Sequence, residues 1–400
     1  MTLGPLRFPT ETRWKVATEV TSPDLRHRQI LAIFTLVMMG VSWPLWLESR
    51  DVPHFPAFSI AANPPLARSL TVACTGGLLL CLTHKLGRLG SLVVIISGVG
   101  LILLDQQRLQ AWFYQTLVIA TVYAALPGSV AIGFTRFFAI TLYFHSALSK
   151  LDWSFAHSMG PYLLSPLTGL ASLSPDSPLI PQLSIALPVG ELIITLLLAA
   201  GYFRIGRAGI IGIHFCLIGM LGPWALNHSA NVLIWNLSMI CQTVVLFGRH
   251  DQSEAAVASP MAIGIVQLLM LVVSIMPFFE RAGLWDAWPS FALYAGHVEQ
   301  MRLEIPANQA EKVPEELRPY LRRSAGMLVP DLTLWARARM GTPPYPAVRI
   351  QKKLARYFVE KSPPDITMRA TFMGKANWRN GRRDQKVMAD RQTILDSISK

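Results

Sequence analysis

The run PMAIGIVQLLMLVVSIMPFF, residues 260–279, carries no charged residue. About 20 mostly apolar residues are what a helix needs to cross the hydrocarbon of a bilayer. Backbone groups in lipid must be paired inside the segment, which selects a helix over any open strand. Eight further runs of the same kind lie upstream, at about 30–47, 66–84, 89–104, 112–130, 134–149, 183–203, 208–225 and 229–247. The chain therefore reads as an all-α polytopic membrane domain of about nine transmembrane helices over residues 29–280.

The rest of the composition follows the same division. Of 400 residues, 52% are hydrophobic and 15% charged, where a soluble protein carries about a quarter charged. Residues 281–400 hold 21 of the 36 Lys and Arg and 12 of the 24 Asp and Glu, so most of the net +12 sits after the last apolar run. Three regions flank the membrane domain: a basic N-terminal segment 1–28, a small α/β extramembrane domain 281–374, and a polar tail 375–400 expected to be mobile. The N-terminal segment has Arg7, Arg13, Lys15, Arg26 and Arg28 with Pro5 and Pro9 and no apolar core, which is not the pattern of a signal peptide.

Loop Lys and Arg set orientation. With the N-terminus in the cytoplasm, the inner side collects the five N-terminal bases, Lys85, Arg88, Arg136, Arg204, Arg207 and Arg249. The outer side collects Arg50, Arg68, Arg108 and Lys150. Nine spans then place the C-terminal domain outside, and loss of one, with 89–104 or 134–149 the weakest, returns it inside. Trp43, Trp46, Trp112, Trp153, Trp224 and Trp235 fall near the proposed helix ends, as an interfacial belt would.

In the C-terminal part, Leu303 to Ile305 alternates like a strand, and Pro314 onward reads as a short helix with acids early and bases late. Gly341 to Pro346 is a turn, Ala347 to Lys361 a second helix, and Asp365 to Phe372 a second strand. The basic charge carries no nucleic-acid motif, and nucleic acid is not an expected partner. Cys74, Cys81, Cys216 and Cys241 all lie in apolar runs without CxxC or metal-ligand spacing. They read as buried free thiols, and no metal site is expected.

Ionisable residues at membrane depth are costly, so Glu191 and His214 stand out. Each also has a plain structural reading, as a side chain hydrogen-bonded to a neighbouring helix. A second polar group collects at the outer face from three separate connections. It comprises Asp105, Gln106, Arg108, Gln110 and Tyr114, then His145, Lys150, Asp152 and His157, then Asn227, His228, Asn231 and Asn236. Asp105 and Arg108 are spaced to meet on one helical turn. Lys150 ends an apolar run. It reads either as a general base, if desolvation lowers its affinity for the proton, or as a lysine snorkelling to the headgroups. Motifs for serine hydrolysis, nucleotide binding or zinc proteolysis do not occur.

The segment Tyr143-Phe-His-Ser-Ala-Leu-Ser-Lys150-Leu-Asp-Trp153-Ser-Phe, followed by Ser158-Met-Gly-Pro-Tyr-Leu163, resembles the lysine-bearing segment of vitamin K-dependent gamma-carboxylases and their bacterial HTTM relatives. Leu104-Asp105 resembles the opening of the preceding polar connection, and His214-Phe-Cys a later His-Cys segment. The string Asp105 to Tyr114 also looks like DoxX/MauE-type redox proteins. The resemblance covers residues 30 to 300.

The resemblance implies a bacterial cytoplasmic membrane protein in which Lys150 is the base that deprotonates a reduced, vitamin K-like quinone. It implies that Asp105, Arg108, Tyr114, His145, Glu191, His214 and Asn231 shape the substrate pocket. Trp112 stands where the carboxylases carry a histidine, so peptide carboxylation is set aside in favour of a quinol-linked redox or epoxidase-type reaction. The alternative is a non-catalytic, redox-associated or assembly protein that binds a partner through its C-terminal domain. A transporter is a third reading, without the broken-helix signature that would support it.

Overall fold

The computed structural model describes residues 22–47, 52–58, 63–248 and 257–399. Of the bases used for orientation, Arg7, Arg13, Lys15, Arg50 and Arg249 lie outside those residues, as does most of the segment 1–28.

Every expected apolar run is helical, with ends set by local chemistry. The helices are α1 (Pro23–Val41), α2 (Trp43–Trp46), α3 (Pro64–Cys81), α4 (Gly87–Leu104), α5 (Ala111–Ala125), α6 (Gly128–Leu148), α7 (Gly160–Leu170), α8 (Leu179–Ala199), α9 (Phe203–Leu221), α10 (Ala230–Leu246) and α11 (Pro260–Ile275). The expected run 30–47 is broken after Val41, with Pro44 in the first turn of the short α2. The run 112–130 is broken at Pro127, whose missing N–H suits a helix start rather than an interior. One element was not expected. A π-helical turn, Phe155–Met159, runs into α7 inside the 150–182 connection.

Length and composition support a smaller number of spans than the nine apolar runs. Among the described residues, five helical segments are long and apolar enough to cross a membrane: Gly87–Leu104, Gly128–Leu148, Leu179–Ala199, Phe203–Leu221 and Pro260–Phe279. Helices α5 and α10 are apolar but only 15 and 17 residues long. Helix α1 begins with Asp24, Arg26, His27 and Arg28, which dilutes its apolar length.

Helix α1 is central, packing on α3, α5, α6 and α10, and the rest follow as neighbours: α3 on α4, α4 on α5, α6 on α8, α8 on α9, and α9 on α10. The closest approach joins α3 to α4. A Cβ on Gly90 would lie 2.6 Å from the carbonyl oxygen of Gly77, and one on Gly77 would lie 2.9 Å from that of Gly90. Small residues of this kind let helix backbones meet where no hydrophobic force drives helices together in lipid.

The C-terminal domain is a five-stranded antiparallel sheet with helices, in the order β2-β3-β1-β4-β5. Its strands are β1 (Gln300–Pro306), β2 (Leu321–Ser324), β3 (Met327–Pro330), β4 (Arg369–Met373) and β5 (Gln385–Met388), and its helices are α12 (Leu332–Met340), α13 (Val348–Lys361) and α14 (Arg391–Ser399). The expected strands and the 347–361 helix fall on β1, β4 and α13. The helix expected from Pro314 is only a 3-10 turn, Glu315–Tyr320, that runs into β2. The segment from Lys375 on, expected as a mobile tail, instead supplies β5 and α14. Its strand pairs with β4 from Ala370↔Met388 to Met373↔Gln385, and Met388 and Ile394 are buried. Polar composition misled because this edge strand buries one side chain of four.

The domain is not a separate bead. Trp46, Phe55, Trp112 and Phe113 of the membrane part share one core with Leu303, Ile305 and Trp335. Polar side chains of the 105–110 connection hold the domain in place. Gln107 Oε1 accepts from Tyr345 N at 2.7 Å, Gln110 Oε1 from the Thr342 hydroxyl at 2.9 Å, and Gln106 Oε1 from Arg349 Nε at 2.7 Å.

Candidate functional site

Tyr143, Ser146 and Lys150 are spaced three and four apart, which lines them along one face of α6 and the turn after it. That face looks into a cavity of about 1350 Å³. Ligand pockets run to about 300–1,000 Å³, so this volume exceeds a single small-molecule site. It extends from the helices into the C-terminal domain. Lys150, Glu191, His214, Asn231 and Asn236 line its inner part, and Arg302, Arg322 and Arg337 its far part.

Lys150 is buried, and its Nζ donates to Glu191 Oε2 at 2.8 Å and to Ser146 Oγ at 2.7 Å. Glu191 comes from α8, one turn after Pro188. Pro188 has no N–H for the carbonyl of Ser184, and it lines the cavity beside Glu191. A neighbouring group joins three helices. Tyr143 OH lies 2.9 Å from His214 Nε2, His214 Nδ1 lies 2.7 Å from Asn236 Oδ1, and Asn236 Nδ2 donates to Val232 O at 2.7 Å. The histidine, on α9, is held at both nitrogens. Its partner on α10 fixes the ring orientation, and the tyrosine hydroxyl carries the network back to α6.

Of the expected pocket residues, the structure brings Lys150, Glu191, His214 and Asn231 to one cavity. Asp105, Arg108, Tyr114 and His145 are placed elsewhere. Asp105 is fully buried and accepts from Phe55 N at 3.1 Å and Gln107 N at 3.2 Å. Arg108, also fully buried, donates to Leu45 O at 3.2 Å and Leu101 O at 3.3 Å. Both brace the connection that seats the C-terminal domain. Tyr114 packs against Phe291, with ring centroids 5.7 Å apart. His145 lies on another side of α6, its Nε2 2.9 Å from Ser274 O and its ring against Phe278. Asp105, Arg108, Tyr114 and His145 share an end of the bundle with Lys150 and Asn231, but they sit on helix faces turned away from the cavity.

Residues missed as a group are Tyr143 and Ser146, together with Trp112 as a cavity wall, while Asn236, expected in the outer polar group, does line the cavity. The spacing Tyr143, Ser146, Lys150 was the available signal. The expectation of buried thiols also needs correction at Cys216, which is exposed and lines the cavity. Two tryptophans assigned to the belt, Trp46 and Trp112, are core residues packed on Phe113.

The turn after Lys150 is clamped by the C-terminal domain. Trp153 N donates to Trp378 O at 2.9 Å. Asp152 Oδ2 meets His297 Nδ1 at 2.7 Å and Arg281 Nη2 at 3.1 Å, while Asp152 Oδ1 accepts from Phe155 N at 2.7 Å. His297 Nε2 meets Glu280 Oε2 at 2.8 Å, and Glu280 Oε1 pairs with Lys375 Nζ at 2.8 Å. Burial pulls His297 down, but its bonds to Asp152 and Glu280 outweigh that and raise it above the usual histidine value. Burial pushes Asp152 and Glu280 up, but the bonds from His297 and their cationic neighbours hold both below the carboxylate range. At the far part of the cavity, burial, with Arg337 nearby, keeps His228 below the ordinary histidine value.

Comparison of the chain with protein-family models, curated proteins and solved structures returns no match.

Proposed function

We propose that this chain is a membrane enzyme of the carboxylase-like HTTM type that binds a lipid-soluble hydroquinone in the cavity and removes a proton from it through Lys150. The observation that carries the reading is the Lys150 amine in the cavity wall, hydrogen-bonded to Glu191 and Ser146. A general base must sit within hydrogen-bond reach of the proton it takes. A snorkelling lysine would instead send its amine to the headgroups.

In this reading Glu191 is the positioning partner of the base. A lysine accepts a proton only as the neutral amine, and the 2.8 Å contact offers the ammonium proton a path to the Glu191 carboxylate. The amine then takes the hydroxyl proton of the quinol and leaves a quinolate, the electron-rich form that a redox step needs. His214, fixed by Tyr143 and Asn236, lines the same volume.

Nine membrane crossings, an inward N-terminus, an outward C-terminal domain and a bacterial cytoplasmic membrane belong to the same proposal. So does the set-aside of peptide carboxylation. The seating of the C-terminal domain on the 105–110 connection favours a role in closing the cavity over its own surface as partner-binding module. With dioxygen supplied as the two-electron acceptor, purified Lys150→Ala is expected to support oxidation of a naphthohydroquinone at least 100-fold more slowly than wild type, the usual scale of losing a positioned base. Equal rates would refute the reading.

A further inference from the structure

Two buried polar side chains in the cavity have no partner among the described residues. Asn231 is 1% exposed, and neither its Nδ2 nor its Oδ1 makes a hydrogen bond. Trp112 is 4% exposed, and its Nε1 likewise has no acceptor. Both line the cavity that holds Lys150 and Glu191. Buried polar groups are nearly always satisfied, and one left open calls for an explanation.

Their placement is matched. Trp112 is the second residue of α5 and Asn231 the second residue of α10. The two helices are tied one turn further in, where Trp235 Nε1 donates to Gln115 Oε1 at 2.7 Å. Gln115 is three residues after Trp112, and Trp235 is four after Asn231. Those are the offsets that keep side chains on one helix face, so Trp112 and Asn231 face the same space at the level above that bond. Around them, Gln115 and Asn236 already have partners.

The open groups are two kinds of donor, the indole N–H and the amide N–H, and one acceptor, the amide oxygen. A hydroxyl satisfies all three at once. It donates its proton to Asn231 Oδ1 and accepts from Asn231 Nδ2 and Trp112 Nε1. A carbonyl or carboxylate oxygen accepts from both donors but leaves Asn231 Oδ1 unpaired, facing another oxygen. We propose that Trp112 and Asn231 form a hydroxyl-recognition site that anchors the ring hydroxyl remote from Lys150 and makes the cavity select reduced quinol over oxidised quinone. This rests on the hydroquinone reading of the same cavity and adds the group that reads the redox state of the ring.

The test uses the full chain in detergent under anaerobic conditions, with 1,4-naphthohydroquinone and 1,4-naphthoquinone as probes. Wild type is expected to bind the quinol at least about tenfold more tightly than the quinone, the scale of one well-made hydrogen bond. Asn231→Leu removes the one acceptor that tells a hydroxyl from a carbonyl and should bring that ratio to within about twofold, whereas Trp112→Phe removes a donor that both rings use and should weaken quinol and quinone about equally, by roughly tenfold. Trp112→Phe keeps a ring against Trp46 and Phe113 and removes only the N–H, so it reports even if Asn231→Leu folds poorly. A selective wild type with Asn231→Leu equally selective, or with Trp112→Phe binding the quinol as tightly as wild type, overturns the anchor alone. A wild type that binds neither ring, or binds both equally, overturns the anchor. Failure of the base reading is separate, because it is read from Lys150→Ala turnover.

Discussion

His297→Gln tests how the C-terminal domain is held over the Lys150 turn. His297 is 1% exposed and joins Asp152 at 2.7 Å to Glu280 at 2.8 Å. With carboxylates at both nitrogens, the ring serves as an imidazolium donating twice. A charge-assisted hydrogen bond is worth about 1.5–3 kcal/mol, and breaking a buried ion pair costs about 3–5 kcal/mol. Arg281 and Lys375 remain to neutralise the carboxylates, so about 3–5 kcal/mol is the expected loss for the pair of bonds. That corresponds to roughly two to four orders of magnitude in the local opening equilibrium. The readout is hydrogen exchange of residues 375–388 in the detergent-solubilised full chain, corrected for the pH dependence of intrinsic exchange.

The pH dependence of the same measurement has a definite sign. The folded-state value of His297 is raised from 6.5. Its contribution is therefore complete below about 6.5 and is lost as pH rises through the raised value. Asp152 and Glu280 are lowered from 3.8 and 4.5. Their contribution is present above those values and is lost as pH falls through the lowered ones. Protection in wild type is thus greatest between about pH 4.5 and 6.5 and falls on the alkaline side. The glutamine variant loses the alkaline limb. Variant protection within threefold of wild type at pH 6, or wild-type protection that stays flat to pH 9, would refute the reasoning.

Two further predictions concern the fold. The β2–β3 hairpin turns through Ala325 and Gly326, both at positive φ, +48° and +76°. That two-residue turn favours Asn-Gly, so Ala325→Asn is expected to stabilise the chain by about 0.5–1 kcal/mol. A Tm in detergent that falls would contradict the turn assignment. Gly90→Leu pushes a side chain into the backbone of Gly77 and Cys81, where even a Cβ finds atoms at 2.6 and 2.7 Å. Overpacking of this kind costs about 1–3 kcal/mol or more, so the variant should unfold at a clearly lower temperature. An unchanged Tm would mean that α3 and α4 do not pack through these glycines.

Much of the fold was legible because its signals are local. A long apolar run reports a helix whatever surrounds it, and each expected run is helical. Helix ends were less legible. Pro44 and Pro127 cut runs that hydropathy alone extends, and the π-helical turn before α7 has no apolar signature. The sheet edge was missed for the same reason in reverse. Strand β5 buries only Met388 of its four residues, so its composition resembles a solvated tail, and only pairing with β4 makes it a strand.

For the candidate site, Glu191 and His214 stand out in the chain alone as ionisable groups at membrane depth, Lys150 as a charge at a helix mouth in a segment resembling a known lysine-bearing one, and Asn231 as part of an outer polar group. That group also holds Asp105, Arg108, Tyr114 and His145, which lie in the same part of the bundle but face away from the cavity. Sequence thus determined which segments are helical and which residues are chemically unusual, since both depend on side-chain composition within a few turns. The tertiary structure decided which of those residues meet. Helix rotation and the seating of the C-terminal domain follow from packing between segments far apart in the chain. A rotation of one helix turns a cavity residue such as Lys150 into a packing residue such as His145.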